Sequence, residues 1–408
     1  MGEAAAAGRE VWITGGGLIT ALGEGDVAHW QGLAAAASGH SAIDGRSFPP
    51  FHIFPIRGLD LDRHIPKKGD QRAMGPLMQY GVAAAGLALA EAGIAGDAAL
   101  LAETHLITAV GGGERDEAVD EQIMTLMVGE GAGPALLNEQ LSTNLRPTLF
   151  LAQLPNLFAA NVAIVHGLVG ASRTFMGEES AGIDAARIAF ERIAAGQGDL
   201  FLVGGACNAS RKDLLSVYHA GGVLLTGPVG DLWRRPTGGI CLASAGAFLV
   251  MESRAHAERR GARPLARLAA ISADRCRRLP GAAAANAGRQ WRALRPRVTG
   301  DRVAVISGAC GSGPITREER GFLAGMAAGG VTPAVRGTAA AIGHSMEASF
   351  LANLFLAISC LRRRRLFAPL SSDEPLERPI ADESVDRLLV TGWGHQRGEG
   401  MACLEAVA

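Results

Sequence analysis

Lysine is nearly missing from this chain of 408 residues: only Lys67, Lys68 and Lys212 occur. Arginine carries the positive charge instead, and Lys plus Arg (39) almost cancels Asp plus Glu (40). Phosphate binding needs a basic surface, so nucleic acid is not an expected partner. Cysteine is sparse and scattered, at positions 207, 241, 276, 310, 360 and 403, with no C-x-x-C pair. That spacing argues against a zinc site, and no metal or cofactor is expected. It also offers no disulfide framework, which points to reduced thiols in the cytoplasm. No apolar stretch reaches the roughly 18 to 20 residues a membrane span needs. Met1 to Gly8 has neither a basic start nor a long apolar run, so no signal peptide is read there. Aromatic residues make up only 5% of the chain, whereas glycine occurs 55 times. A core built from small residues suits helices packed closely on sheets.

What is present is a series of short aliphatic runs ending in glycine. They are Val11 to Gly15, Leu106 to Gly111, Leu200 to Gly205, Val303 to Gly308 and Leu388 to Gly392. Continuous apolar runs of this length predict strands buried on both faces. Alanine-rich segments between them, clearest at Gln79 to Ala92 and Gly182 to Gly196, predict helices. Strands alternating with helices predict an α/β fold with mixed sheets. The pattern runs twice. One copy ends near Phe248 to Glu252, a helix follows at Ala255 to Arg260, and the second copy starts near Leu265 to Leu268. Gly113 to Pro155 fits neither copy and reads either as an insertion that caps a site or interface or as a solvent-facing excursion.

Several segments carry a resemblance when taken in order. They are Val11 to Ala21 (VWITGGGLITA), Val162 to Gly170 (VAIVHGLVG), Thr174 followed by Ser180 to Ala185, Asp199 to Ala206 (DLFLVGGA), Gly239 to Ala247, His256 to Gly261, Gly343-His344 and Gly392-Trp393-Gly394. Along nearly the whole chain these resemble the β-ketoacyl-acyl-carrier-protein synthases of the thiolase-like superfamily. The resemblance implies two βαβαβαββ-type halves in a five-layer α-β-α-β-α sandwich. The halves would be residues 1–254, with the insertion 113–155, and residues 255–408.

The family carries out a decarboxylating condensation through a cysteine at a helix N-terminus, where the helix end favours the thiolate. Two histidines assist decarboxylation and stabilise developing charge. Aligned on Thr174 and Gly182, the cysteine position falls on Glu179. Aligned on Ser312 and Pro314, the first histidine position falls on Ala309. The second histidine is retained as His344, but the family's lysine before it is Ala339 and the acidic residue after it is Asn353. The glycine-rich tail G-F-G-G becomes Gly392-Trp393-Gly394-His395. Condensation by the usual Cys-His-His route is therefore not expected. Cys310, beside the lost histidine, reads as a buried inert thiol rather than a displaced nucleophile.

Three roles stay open for Glu179. It can simply suit the first turn of a helix. It can pair with His344, raising that imidazole's pKa. It can support residual decarboxylation, as glutamine does at this position in some relatives. The resemblance further implies a non-condensing, chain-length-factor-like subunit of fatty-acid or polyketide biosynthesis. The alternatives are an active synthase or malonyl-carrier decarboxylase using unusual residues, and an acyl-chain-binding module. Implied partners are an acyl carrier protein and either a second copy or an active synthase. Lys67, Lys68 and Arg72 are the candidates for carrier docking. Phe158, Trp393, the segment around Asn161 and Met124 to Met127 are the candidates for lining an acyl tunnel.

Overall fold

The computed structural model describes residues 8–128, 132–145, 151, 153–236, 238–298, 302–379 and 384–407. The first seven residues, where no signal peptide was read, lie outside these, as do 129–131, 146–150 and 152 of the expected insertion. In chain order the strands are β1 (Val11–Thr20), β2 (Gly23–Glu24), β3 (Ile53–Phe54), β4 (His105–Val110), β5 (Ser172–Phe175), β6 (Leu200–Cys207), β7 (Leu242–Ala243), β8 (Ala245–Ser253), β9 (Ala266–Asp274), β10 (Arg302–Ser307), β11 (Thr332–Gly337), β12 (Arg387–Trp393) and β13 (Glu399–Glu405).

The main sheet runs β11-β10-β12-β13-β9-β1-β8-β6-β4-β5. Its pairings are mixed: β4 lies parallel to β5 and β6, and β10 parallel to β11 and β12, while β1, β8, β9 and β13 pair antiparallel. Two five-strand arms meet where Val11–Ile13 of β1 pairs with Ala266–Leu268 of β9. Helices Glu179–Ala194 and Ser349–Arg362 lie between the arms and share one core with the inward faces of β1, β8 and β12. A second core places helix Pro76–Glu91 and helix Asn156–His166 outside the first arm. A third places helices Ala282–Leu294 and Gly313–Ala328 outside the second arm. The layers are therefore helix, sheet, helix, sheet, helix, as the thiolase-like fold requires. Ser349–Arg362 explains the middle layer: every residue from Phe350 to Leu361 is buried, and a helix apolar all round has protein on every side.

The expected helices form at Pro76–Glu91, Glu179–Ala194 and Arg254–Arg259. Strand β1 does not stop at Gly15 but runs on to Thr20. Its glycines are required by packing. A Cβ at Gly17 would lie 2.0 Å from the carbonyl oxygen of Ala84, and one at Gly15 would lie 2.3 Å from that of Ala88. The helix Pro76–Glu91 sits so close that only hydrogen fits between it and the strand. In the expected insertion, helices Glu117–Met127 and Pro134–Asn144 form, with Ile123 as the one buried residue of the first.

Replacing Gly17 by alanine forces strand and helix apart. We expect Gly17→Ala to lower unfolding free energy by about 1–3 kcal/mol, the range for overpacking a filled core. Urea denaturation monitored by circular dichroism measures it, and an unchanged midpoint would contradict the packing account.

Candidate functional site

Strand β5 ends at Phe175, and the chain turns sharply through Gly177 and Glu178 into the helix that starts at Glu179. Gly177 has φ 134° and Glu178 has φ 57°, a region that L side chains rarely adopt. The turn is held by the Ser180 hydroxyl, which donates to the Gly177 carbonyl at 2.7 Å. It aims the first side chain of the helix inward, and Glu179 is 3% exposed.

A carboxylate in such a place needs donors on every side. Nε2 of His344 lies 2.8 Å from Glu179 Oε1. The backbone N–H of His395 donates to the same oxygen at 3.2 Å. Nδ1 of His395 is 2.9 Å from Oε1 and 3.2 Å from Oε2. Burial favours protonating Glu179, but the charge of His395 and the hydrogen bonds from His344 and His395 outweigh it. The carboxyl is held well below its usual range. Burial likewise disfavours a charged His395, but Glu179 and then Glu178 reverse that and raise its pKa.

His344 is positioned by the short strand β7: its N–H donates to the Cys241 carbonyl and its own carbonyl accepts from Ala243. On its far side the Ser349 hydroxyl stands 3.3 Å from Nδ1. His395 lies in the turn after β12, closed by the Gly394 N–H donating to Gly398, and its ring meets Tyr218 edge-on at 5.7 Å. Glu178 is half-buried, with Tyr218 Oη donating to it at 3.4 Å. Its carboxyl is raised, by burial first and by Glu179 against the pull of His395.

A cavity of about 240 Å³ opens beside Glu178, lined by Leu77, Met176, Leu214, Tyr218, Met346 and Glu347 among others. A second, of only about 10 Å³, lies between Ala309, Ala339, His344 and Asn353. That is room for roughly one water molecule. Around it Thr338 donates to Asn353 Oδ1 at 2.6 Å, and Asn353 Nδ2 donates to the Ser307 carbonyl at 3.0 Å.

Residues 8–257 match the family model for the N-terminal domain of β-ketoacyl synthases, more than half of the chain. The chain belongs to the β-ketoacyl synthase family. A 3-oxoacyl-[acyl-carrier-protein] synthase 2 of Vibrio cholerae is 27% identical over 263 residues, covering 62% of this chain and 60% of the relative. The match thus spans about three fifths of that relative's length. The ishigamide ketosynthase/chain length factor superposes with TM-score 0.78 at 20% identity, over 98% of this chain and 100% of that one. A ketosynthase of a type II polyketide synthase, solved in complex with its acyl-carrier protein, superposes with TM-score 0.73 at 16% identity over 98% and 100%. Likeness at these identities concerns the fold.

Against the family's pattern, the structure brings Glu179 and His344 together, with Ala309 and Asn353 on the other side of His344. Cys310 is buried, and burial first and the Glu179 carboxylate second push its thiol up to about 12. Two tunnel candidates fall elsewhere. Phe158 is fully buried in the outer core of the first arm, its ring over Gly81 and stacked with Phe248 at 6.2 Å. The missing Cβ of Gly81 makes the slot that Phe158 fills, so it is packing rather than a wall of either cavity. Trp393 is 1% exposed and packs against Phe322 in the core of the second arm. Met124 projects into solvent, 67% exposed, and Asn161 donates to the Leu157 carbonyl within its own helix. Lys67, Lys68 and Arg72 are all exposed on or beside helix Lys68–Ala73, and Lys68 is paired with Asp62.

From sequence Glu178 reads only as a first-turn acid beside Glu179 and His395 only as the end of the altered tail, yet both complete the cluster. The available signal was a histidine standing where the family's tail has its last glycine.

Removing the Glu179 carboxylate leaves two buried histidines without their acceptor. Breaking such a pair costs about 3–5 kcal/mol, so Glu179→Ala should lower stability by that amount in chemical denaturation. A loss below about 0.5 kcal/mol would mean the cluster is not held by this residue.

A second expectation concerns pH. Glu319 is buried beneath the Ser307–Ala309 turn, accepting from Thr391 at 2.6 Å, Ser307 at 2.7 Å and the Gly308 N–H at 3.1 Å. Burial outweighs these donors and pushes its carboxyl from 4.5 up to about 7. The folded value lies above the unfolded one, so the native state holds an extra proton between them. Glu319 therefore makes stability fall as pH rises from 4.5 to about 7, and adds no slope above. Glu319→Gln should flatten that slope in denaturation series; an identical slope in the variant would exclude Glu319 as its source.

Proposed function

We propose that this protein is a non-condensing, chain-length-factor-like subunit that pairs with an active β-ketoacyl synthase in carrier-protein-dependent assembly of a fatty-acid or polyketide chain. One observation carries the reading: the carboxylate at the nucleophile's position is locked by two histidines. A carboxylate with a depressed pKa is a weak nucleophile, and its Oε1 already has both histidines and the His395 N–H against it. The imidazole that would assist decarboxylation is replaced by Ala309, whose surroundings have closed to a cavity of about 10 Å³. Glu179 therefore serves the site electrostatically rather than as a catalyst.

Assembly with a partner is supported by the edge at β5, which among the described residues pairs with β4 alone. It ends the sheet, and near it in the chain Ile164, Val169 and Met176 are 67%, 75% and 58% exposed. An uncovered edge with apolar neighbours favours pairing with a second sheet. Carrier docking is assigned to Lys67, Lys68 and Arg72; Arg72 lines a cavity of about 340 Å³ of mixed charge, with Arg115 and Arg211 and with Glu114, Asp116 and Glu117. The boundary between the halves is placed at 254/255, after the end of β8 at Ser253. The working compartment is the cytoplasm, in keeping with six free cysteines. Among the described residues no helix is long and apolar enough to cross a membrane.

A second reading, an acyl-binding module, is favoured by the cavity of about 240 Å³ beside Glu178. It lies below the usual 300–1,000 Å³ of small-molecule sites, so only a short acyl group fits.

The test is mass spectrometry of carrier-bound products. With acyl- and malonyl-carrier protein the purified chain should form neither 3-oxoacyl nor decarboxylated acetyl carrier, and it should co-purify with an active synthase when the two are co-expressed. Turnover by the chain alone would overturn the proposal. Arg72→Glu should weaken carrier binding at low salt, and unchanged affinity would remove Arg72 from the docking surface.

A further inference from the structure

We propose that His395 and Glu178, with Glu179 as the orienting carboxylate, form a binding site for a divalent transition-metal ion of the zinc class. The argument starts from the two ring nitrogens of His395. Nδ1 faces Glu179 at 2.9 Å, so its N–H donates to that carboxylate, and the ion takes the outward Nε2 by displacing the proton that the imidazolium carries there. Nε2 is buried and has no hydrogen-bond partner among the described residues, in a side chain that is 1% exposed. A buried ring nitrogen without a partner calls for an explanation, and an unseen ion is one.

The atom it faces is Glu178 Oε1, 3.6 Å away. That distance is long for a hydrogen bond. It suits two ligands of one ion, because bonds of about 2.0–2.2 Å to nitrogen and oxygen put neighbouring ligand atoms roughly 3–4 Å apart. One ligand atom from each of Glu178, Glu179 and His395 lies within 4.8 Å of the others. A metal-bound histidine whose second nitrogen donates to a carboxylate is the usual way such a ring is fixed.

Charge points the same way. With the Nε2 proton displaced, His395 is neutral, and the consecutive Glu178 and Glu179 bring two negative charges into a mostly buried place. The helix N-terminus offsets only about half a charge. A divalent cation balances the pair, and its own repulsion by the helix end is the smaller term. Access comes from Glu178, whose side chain is 24% exposed and borders the cavity of about 240 Å³. That cavity holds space for water ligands. One imidazole with carboxylate oxygens suits zinc-class ions better than calcium or magnesium, which take oxygen alone. The bound ion would tie the turn after β12 to the start of the Glu179 helix.

The experiment uses the full chain, stripped with chelator. Zn²⁺ is added in calorimetry and thermal unfolding, and Co²⁺ in visible absorption. One ion per chain should bind, raise Tm and, as Co²⁺, give absorption bands of a nitrogen-and-oxygen site. Glu178→Gln, at a partly exposed position, should keep the fold and weaken Zn²⁺ at least about tenfold, the low end for losing a group that supports a metal. His395→Gln should do the same where it folds. No binding tighter than about 1 mM by the wild type would overturn the proposal. So would unchanged affinity in folded Glu178→Gln, because the ion would then sit elsewhere.

Discussion

A buried carboxylate at a helix N-terminus, accepting from two histidines, is the constraint around which this site is organised. Glu179 belongs to the middle helical layer, His344 follows the short helix Ala339–Ile342 and is bonded to the backbone at β7, and His395 follows β12. Three distant stretches of chain therefore converge on one side chain. A cysteine there would be small, apolar and available to a thioester. The carboxylate has to be solvated by the protein, and the groups that solvate it take up the space and the hydrogen bonds that chemistry would use.

The surroundings follow from that. With alanine at 309 and 339, the wall opposite His344 is short side chains and a remnant cavity, and Asn353 ties Thr338 to the Ser307 carbonyl by neutral hydrogen bonds. Cys310 lies close by but is buried and near a carboxylate, two conditions that suppress a thiolate. The sharp turn at Gly177 and Glu178 and the glycines that let helix Pro76–Glu91 touch β1 are kept. On the proposed reading, the frame of the family is kept and its reactive groups are not.

Much of the fold was legible because buried strands are written as aliphatic runs: Leu106 to Val110, Leu200 to Val203 and Val303 to Ser307 lie within observed strands. Strand β5, Ser-Arg-Thr-Phe, was not, because an edge strand needs no apolar run. Strand β1 was cut short because three glycines normally signal a turn; here they accommodate a helix. The meeting of Glu179 and His344 was legible only through motif spacing shared with the family. His395 was not, because it lies 216 residues from Glu179 in the chain and in an irregular turn. The absence of C-x-x-C pairs spoke to cysteine sites alone, and a carboxylate–histidine cluster carries no comparable local signature. Phe158 misled for a different reason: an aromatic ring near the site in sequence fills a slot above Gly81 on the far side of the sheet.

The central claim is that Glu179 is ionised and holds His395. The direct measurement is ¹⁵N NMR of the His395 ring in metal-free protein across a pH series. The account predicts that this ring keeps its proton to above the ordinary histidine value of 6.5 and loses that shift in Glu179→Gln. A ring that titrates at or below 6.5 in the wild type, unchanged by the substitution, would contradict it.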